Sequence, residues 1–169
     1  MRKIALTLSL ILSLAFGMTL ATSRTFSAAD RSFSLEAARY NAFELQAAML
    51  AQTMGSHPEV KTYAEMILIH HKTVGTALQA AVKKSDPSLM LPSEPSPKYK
   101  AVLEALKNSG AAFDAKYKGQ MVSSHVEIHD FFGRYLARRS ANIDTWAVIN
   151  TAQPIVVMHL EAARKLPAQ

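Results

Sequence analysis

From residue 33 to residue 166 the apolar side chains recur at alternating steps of four and three, and nowhere at the step of two that a half-buried strand requires. That spacing keeps one face of each helix turned toward a shared core and confines the chain to helix-on-helix packing. Glycine, proline and asparagine divide the pattern. Phe33 to Met54 reads as a first helix, with Ser32 or Asp30 as its N-cap and Gly55 as its stop. Pro58, a favoured first-turn residue after Ser56-His57, opens a second that runs to about Lys84. Four prolines between Ser85 and Pro97 exclude a continuous helix and make a long surface connection. A short piece from Lys98 to Lys107 stops at Asn108-Ser109-Gly110, and a long helix follows from Ala111 to Arg139. Asn142 or Asp144 caps the last helix, which reaches Leu166 and carries Pro154 inside it, where the missing N–H bends the axis. The predicted fold is all-α: one four-helix bundle with a long proline-rich connection between helices 2 and 3.

The 169 residues suffice for one domain with a real core, and 49% hydrophobic against 19% charged residues excludes a disordered chain. Cysteine is absent, so disulfides, thiolate metal sites, cysteine nucleophiles, covalent haem attachment and lipoprotein acylation are excluded together. The formal net charge is +6. Arg2, Lys3 and, for a later cut, Arg24 belong to a leader, and most remaining basic residues, among them Lys83, Lys84, Arg138, Arg139, Arg164 and Lys165, fall near predicted helix C-termini, where they complement the dipole. No aromatic residues interleave with them, so no nucleic-acid partner is expected.

Residues 1–29 have the three-part form of a secretory signal peptide: Met1 to Lys3 as a positive head, Ile4 to Leu20 as an apolar run, then small residues at Ala21, Ser23, Ser27, Ala28 and Ala29. Cleavage after Ala21 or after Ala29 fits. The domain proper is then 30–169, and in a bacterium with two membranes it is periplasmic or associated with the outer membrane. The apolar run is just long enough for an uncleaved anchor, so membrane contact is expected only through that leader or peripherally.

Each helical seam carries one polar residue of ligand type. The first reads Phe33, Ala37, Tyr40, Glu44, Ala47, Ala51, Met54; the second reads Val60, Ala64, Ile67, His71, Val74, Leu78, Ala81. The third reads Asp114, Lys118, Met121, His125, Ile128, Phe132, Tyr135; the fourth reads Ile149, Ala152, Val156, His159, Ala163, Leu166. His71, His125, His159 and Glu44 are therefore candidate ligands of one transition-metal ion, Zn, Cu, Fe or Ni, since imidazole nitrogen is a borderline donor and a carboxylate adds charge. The competing reading is a metal-free scaffold or stress-related interaction protein in which the histidines only pack and hydrogen-bond. Glu44 has a further alternative, because the seam Tyr40, Phe43, Ala47, Leu50, Met54 is equally regular and places it at the bundle edge.

Other chemistries find less support. His125 and His129 lie one turn apart without the H-E-x-x-H order of a metalloprotease. No Glu-x-x-His pair of a di-iron carboxylate bundle occurs. His70 diverges from His71 by about 100° around the helix and is expected to be exposed. Met54, Met66, Met121 and Met158 read as core filling, and Asp114 as a capping and dipole-matching residue. No G-x-S-x-G turn or acid/base pair emerges, so catalytic residues are not assigned and the balance leans away from an enzyme.

Several runs together resemble a known family: Asn41-Ala42-Phe43-Glu44 with Leu50-Ala51; Val60-Lys61-Thr62-Tyr63-Ala64-Glu65-Met66 before a histidine; Ser109-Gly110-Ala111-Ala112-Phe113-Asp114 with Tyr117 and His125; and Pro154 five residues before His159-Leu160. Their order and spacing, from about Phe33 to Leu166, are similar to those of the exported, ferritin-like bacterial domain of unknown function numbered 4142. The resemblance implies a ferritin-like four-helix bundle in the cell envelope, often labelled a periplasmic or outer-membrane protein, and no established reaction. By position it places the family's recurring polar residues on Glu44, His71, Asp114, His125 and His159. The family commonly has Asp-His in helix two, where this chain has His70-His71.

Overall fold

A computed structural model describes residues 25–167, and among them every regular element is helical. Helix α1 spans Ala28–Met54, α2 Pro58–Ser85, α3 Pro97–Lys107, α4 Phe113–Leu136 and α5 Ile143–Lys165, with a single 3-10 turn at Gly110–Ala112 before α4. α1 packs along α2 and α4 along α5, while α2 also lies against α5 and α1 against α4; the short α3 leans on α1 and α4. No described helix is long and apolar enough to cross a membrane. The leader's apolar run and the cut after Ala21 lie outside the described residues.

The helix ends follow from local chemistry, with three corrections to the sequence reading. α1 starts at Ala28 rather than Phe33, and its N-cap is Ser27 rather than Ser32 or Asp30. Ser27 and Asp30 form a capping box, the Ser27 Oγ accepting from the Asp30 N–H at 3.1 Å and the Asp30 carboxylate accepting from the Ser27 N–H at 2.9 Å. Asp30 Oδ1 also accepts from the Tyr135 hydroxyl at 2.9 Å and the Asn142 N–H at 3.1 Å, so one carboxylate joins the start of α1 to the α4–α5 corner. α4 begins at Phe113, two residues later than expected, because Gly110 adopts φ +55° and the chain tightens into the 3-10 turn first. It ends at Leu136, before Arg139, and Asn142 then caps α5 by accepting from the Asp144 and Thr145 N–H groups at 3.1 Å each.

Asp114 caps, as expected, but across the molecule. Its carboxylate accepts from the N–H groups of Ser56 and His57 at 3.0 and 2.9 Å, satisfying the turn into α2, whose own N-cap His57 makes no side-chain cap. Lys118 likewise reaches away from its seam position and donates to the Leu166 carbonyl at the end of α5.

The core falls into two apolar clusters. One holds Phe43, Tyr63, Ile67, Tyr99, Tyr117 and Met121; the other holds Phe33, Leu78, Val82, Ile128, Tyr135 and Ile149. Phe43 stacks on Tyr99 at 4.1 Å between ring centres, which fastens α3 to α1, and Phe33 stacks on Tyr135 at 3.7 Å. Burial of each such ring is worth about 1.5–3 kcal/mol. Along α2 the clusters are separated by His71, along α4 by His125 and along α5 by His159. A polar layer therefore sits mid-helix between two apolar ones.

Candidate metal centre

His71, His125 and His159 come together from α2, α4 and α5. They are all buried, and one ring nitrogen of each lies within 4.8 Å of the others. The rings of His71 and His159 stack at 5.4 Å, and that of His125 meets both edge-on at 6.0 and 5.2 Å. Each lies one helical step from a buried apolar residue of the first cluster, His71 from Ile67, His125 from Met121 and His159 from Ala163, and the packing of the helices brings the three to one level.

The outward nitrogen of each ring is already engaged. His71 Nδ1 faces Asn41 Oδ1 on α1 at 3.1 Å, and His125 Nδ1 faces the Met121 carbonyl at 2.8 Å. His159 lies between two other imidazoles, its Nε2 2.9 Å from His70 Nδ1 and its Nδ1 3.3 Å from His125 Nε2. For neutral rings this fixes every proton. A carbonyl or amide oxygen only accepts, so His71 Nδ1 donates to Asn41 and His125 Nδ1 to Met121, leaving Nε2 bare in both; His159 Nδ1 then donates to His125 Nε2, and His70 Nδ1 donates to His159 Nε2. A cation taking His159 Nδ1 displaces that proton, which is regained at Nε2 once His70 moves its own proton to Nε2. Such occupation of the far nitrogen is what orients a metal-ligating imidazole.

The His71 and His159 rings are held in the neutral form. Burial, and then the neighbouring histidines, hold His71 well below the ordinary histidine range, and burial with His125 and His70 pushes His159 down to about 3. Uncharged imidazole is the form that donates a lone pair to a metal.

Glu44 is fully buried, so the seam that left it at an edge does not describe it. Its Oε1 lies 3.8 Å from His125 Nδ1, on the ring edge that also meets the Met121 carbonyl, and it is not one of the three converging residues. Among the described residues neither carboxyl oxygen has a hydrogen-bond partner, and the Tyr63 and Tyr117 hydroxyls are likewise unpaired. The Ser124 hydroxyl beside the carboxyl donates instead to Met121 at 3.3 Å. Burial raises the Glu44 pKa, with the proximity of His125 opposing, and burial near Glu44 raises both tyrosines.

His70 departs from expectation. It is half-buried and bonded to His159 rather than pointing away, because His159 stands at the α2–α5 contact, between the core-facing direction of His71 and the flank direction of His70. Asn41 is the other residue that the seams did not single out, although it lies one turn before Glu44. Gly75 makes its position possible: a Cβ there would come within 2.7 Å of the Asn41 Nδ2 atom. His129 is exposed beside Asp130 and takes no part in the cluster.

A family model described as Domain of unknown function (DUF4142) matches residues 17–166. The chain belongs to DUF4142. Comparisons with curated proteins and with solved structures return no match. The DUF4142 stretch contains all five helices and, with them, Asn41, Glu44, Asp114 and the four clustered histidines. At the position where the DUF4142 resemblance led to an aspartate before the helix-two histidine, His70 supplies the second imidazole that His159 contacts.

Proposed function

We propose that this chain is an exported, ferritin-like four-helix bundle that binds one transition-metal ion, Zn, Cu, Fe or Ni, through His71, His125 and His159. The single observation that carries the reading is the separation of 3.3 Å between His125 Nε2 and His159 Nδ1. Two nitrogens each about 2.0–2.1 Å from a tetrahedral metal lie about 3.3–3.4 Å apart. The bare Nε2 of His71 completes a three-imidazole face, as in open metal sites that keep a position for an exchangeable ligand. Glu44 serves this centre from the far side of His125 as an outer charge partner, rather than as the fourth ligand expected from the seams. Export rests on the leader pattern, and placement in the periplasm or at the outer membrane follows from it.

A second reading, a metal-free envelope scaffold, is favoured by the continuous chain from His70 through His159 and His125 to the Met121 carbonyl, which satisfies these groups without an ion. Elemental analysis of the mature protein purified from its native compartment, with melting curves in the presence and absence of chelator, separates the two. One equivalent of metal, a chelator-sensitive melt and loss of both in His125→Ala are expected; no metal and no shift on adding Cu, Zn, Fe or Ni would establish the scaffold.

A further inference from the structure

On the side of the histidine layer away from Glu44 lies a small chamber of about 30 Å³, bordered by the rings of His70, His71 and His159. Its remaining walls are almost wholly hydrocarbon, with Val74, Leu78, Ile128, Phe132, Ala152 and Val156 around it. Each of the four surrounding long helices contributes. The volume is enough for one or two water-sized bodies, the scale of a molecule of two heavy atoms. Its walls hold no carboxylate, lysine or arginine, so apart from the centre itself a ligand meets only hydrocarbon and ring faces, which suit an uncharged molecule and leave a charged one poorly solvated.

We propose that this chamber is a ligand subsite, shaped for a small uncharged diatomic molecule that reaches the open position of the three-histidine centre. The inference rests on the metal-binding reading and adds to it the size and charge of what the centre takes up. Val74 stands one turn beyond His71 on the same helix and Ala152 two turns before His159, so the chamber walls and the candidate ligands belong to the same faces of α2 and α5. Both side chains line the chamber and neither carries a candidate ligand atom, so enlarging them takes up its space while leaving the ligand set intact in composition. Val74 is half-buried, which gives a larger ring room to settle, whereas Ala152 is fully enclosed.

The probe is carbon monoxide on the full mature chain loaded with Cu(I), because three imidazoles leave such an ion one position for an uncharged two-atom ligand. Copper is first counted per chain, and the infrared C–O stretch is then recorded under increasing carbon monoxide. One sharp band per bound copper is expected in the wild type. Val74→Phe and Ala152→Leu should retain the copper and the helical circular dichroism while binding carbon monoxide at least tenfold more weakly. Stoichiometric copper with no C–O band overturns the subsite and leaves the metal centre standing. A band of undiminished affinity in either folded variant also overturns it. Failure of the wild type to hold copper, or any of Zn, Fe and Ni, overturns the metal centre itself and the subsite with it.

Discussion

Asn41 Oδ1 lies 3.1 Å from His71 Nδ1 across the α1–α2 interface, in space that only a glycine at position 75 leaves open. This contact makes α1 a contributor to a cluster whose imidazoles all come from other helices. Removing an outer partner of this kind lowers metal affinity about 10–100-fold. Asn41→Leu is therefore expected to weaken metal binding by that factor in competition with a chromophoric chelator, while Asn41→Asp, which keeps an acceptor, retains most of it. Gly75→Ala should resemble Asn41→Leu, since its new methyl group displaces the amide. Wild-type affinity in both Asn41→Leu and Gly75→Ala would separate this contact from the centre.

The proton positions along the histidine chain are readable by nitrogen NMR. In the metal-free protein His159 is expected to carry its proton on Nδ1 and His70 on Nδ1. Addition of Zn should invert both assignments, because His159 Nδ1 becomes a metal donor and its proton is regained on the other nitrogen. His70→Phe keeps the stacked ring but offers no nitrogen, so it should weaken Zn binding about tenfold or more. Unchanged ring assignments on saturation with Zn would show that His159 does not ligate through Nδ1.

Stability of the metal-free protein should fall as pH drops below about 6.5. In the unfolded chain His71 and His159 titrate near 6.5, whereas in the fold both are depressed, His159 to about 3. Below 6.5 the unfolded state therefore takes up protons that the folded state refuses, and each such histidine costs about 1.4 kcal/mol per pH unit. Glu44 has the opposite sign: its raised value gives stability that is present below 4.5 and is lost as pH rises through the folded value, so it partly offsets the histidines between. Urea denaturation at pH 7.5 and 5.5 measures the difference. A flat profile would mean that the buried rings accept protons in place.

Asp114 should be worth more to stability than an acid in the first turn of its own helix. It satisfies two backbone donors at the opening of α2 from 57 and 58 residues away in sequence. Asp114→Ala is expected to cost about 1 kcal/mol or somewhat more in chemical denaturation, since hydrogen bonds to a charged acceptor are worth about 1.5–3 kcal/mol and these two donors are only part-buried, and Asp114→Asn less, because one oxygen still accepts. An Asp114→Ala protein as stable as the wild type would show that water replaces the carboxylate.

The two candidate cleavage positions differ in consequence. A chain beginning at Thr22 keeps the Ser27–Asp30 capping box, whereas one beginning at Asp30 loses it and places an ammonium group at the positive end of α1. The longer form should be more stable by about 0.5–2 kcal/mol, and Ser27→Ala should reproduce most of the loss. Equal melting temperatures for the two forms would leave the cap without energetic weight.

The helix interiors were legible because apolar periodicity is a local property, and the three histidines because a seam position is a direction in space. What escaped were residues whose role depends on the neighbour's position. His70 points about 100° from His71 on one helix, yet both reach His159, since the second direction meets α5 rather than solvent. Asp114 showed itself as an acid after a break, and nothing along the chain connects it with Ser56. Glu44 had two equally regular seams, and only the packing of α1 against α4 places it fully inside. Ser27 lay hidden among the small residues of a leader, where the same side chains serve a peptidase or begin a helix.

The three histidines stand well inside their helices, at positions 71 in 58–85, 125 in 113–136 and 159 in 143–165. Fraying of a helix end, the cheapest opening that a helical protein undergoes, reaches none of them. An ion, larger in its hydrated form than the chamber beside the rings, would leave chiefly when the helices around it part, so exchange would be timed by a collective opening more than by the strength of any one coordinate bond. Such a centre would trade slowly with free metal even where its affinity is modest.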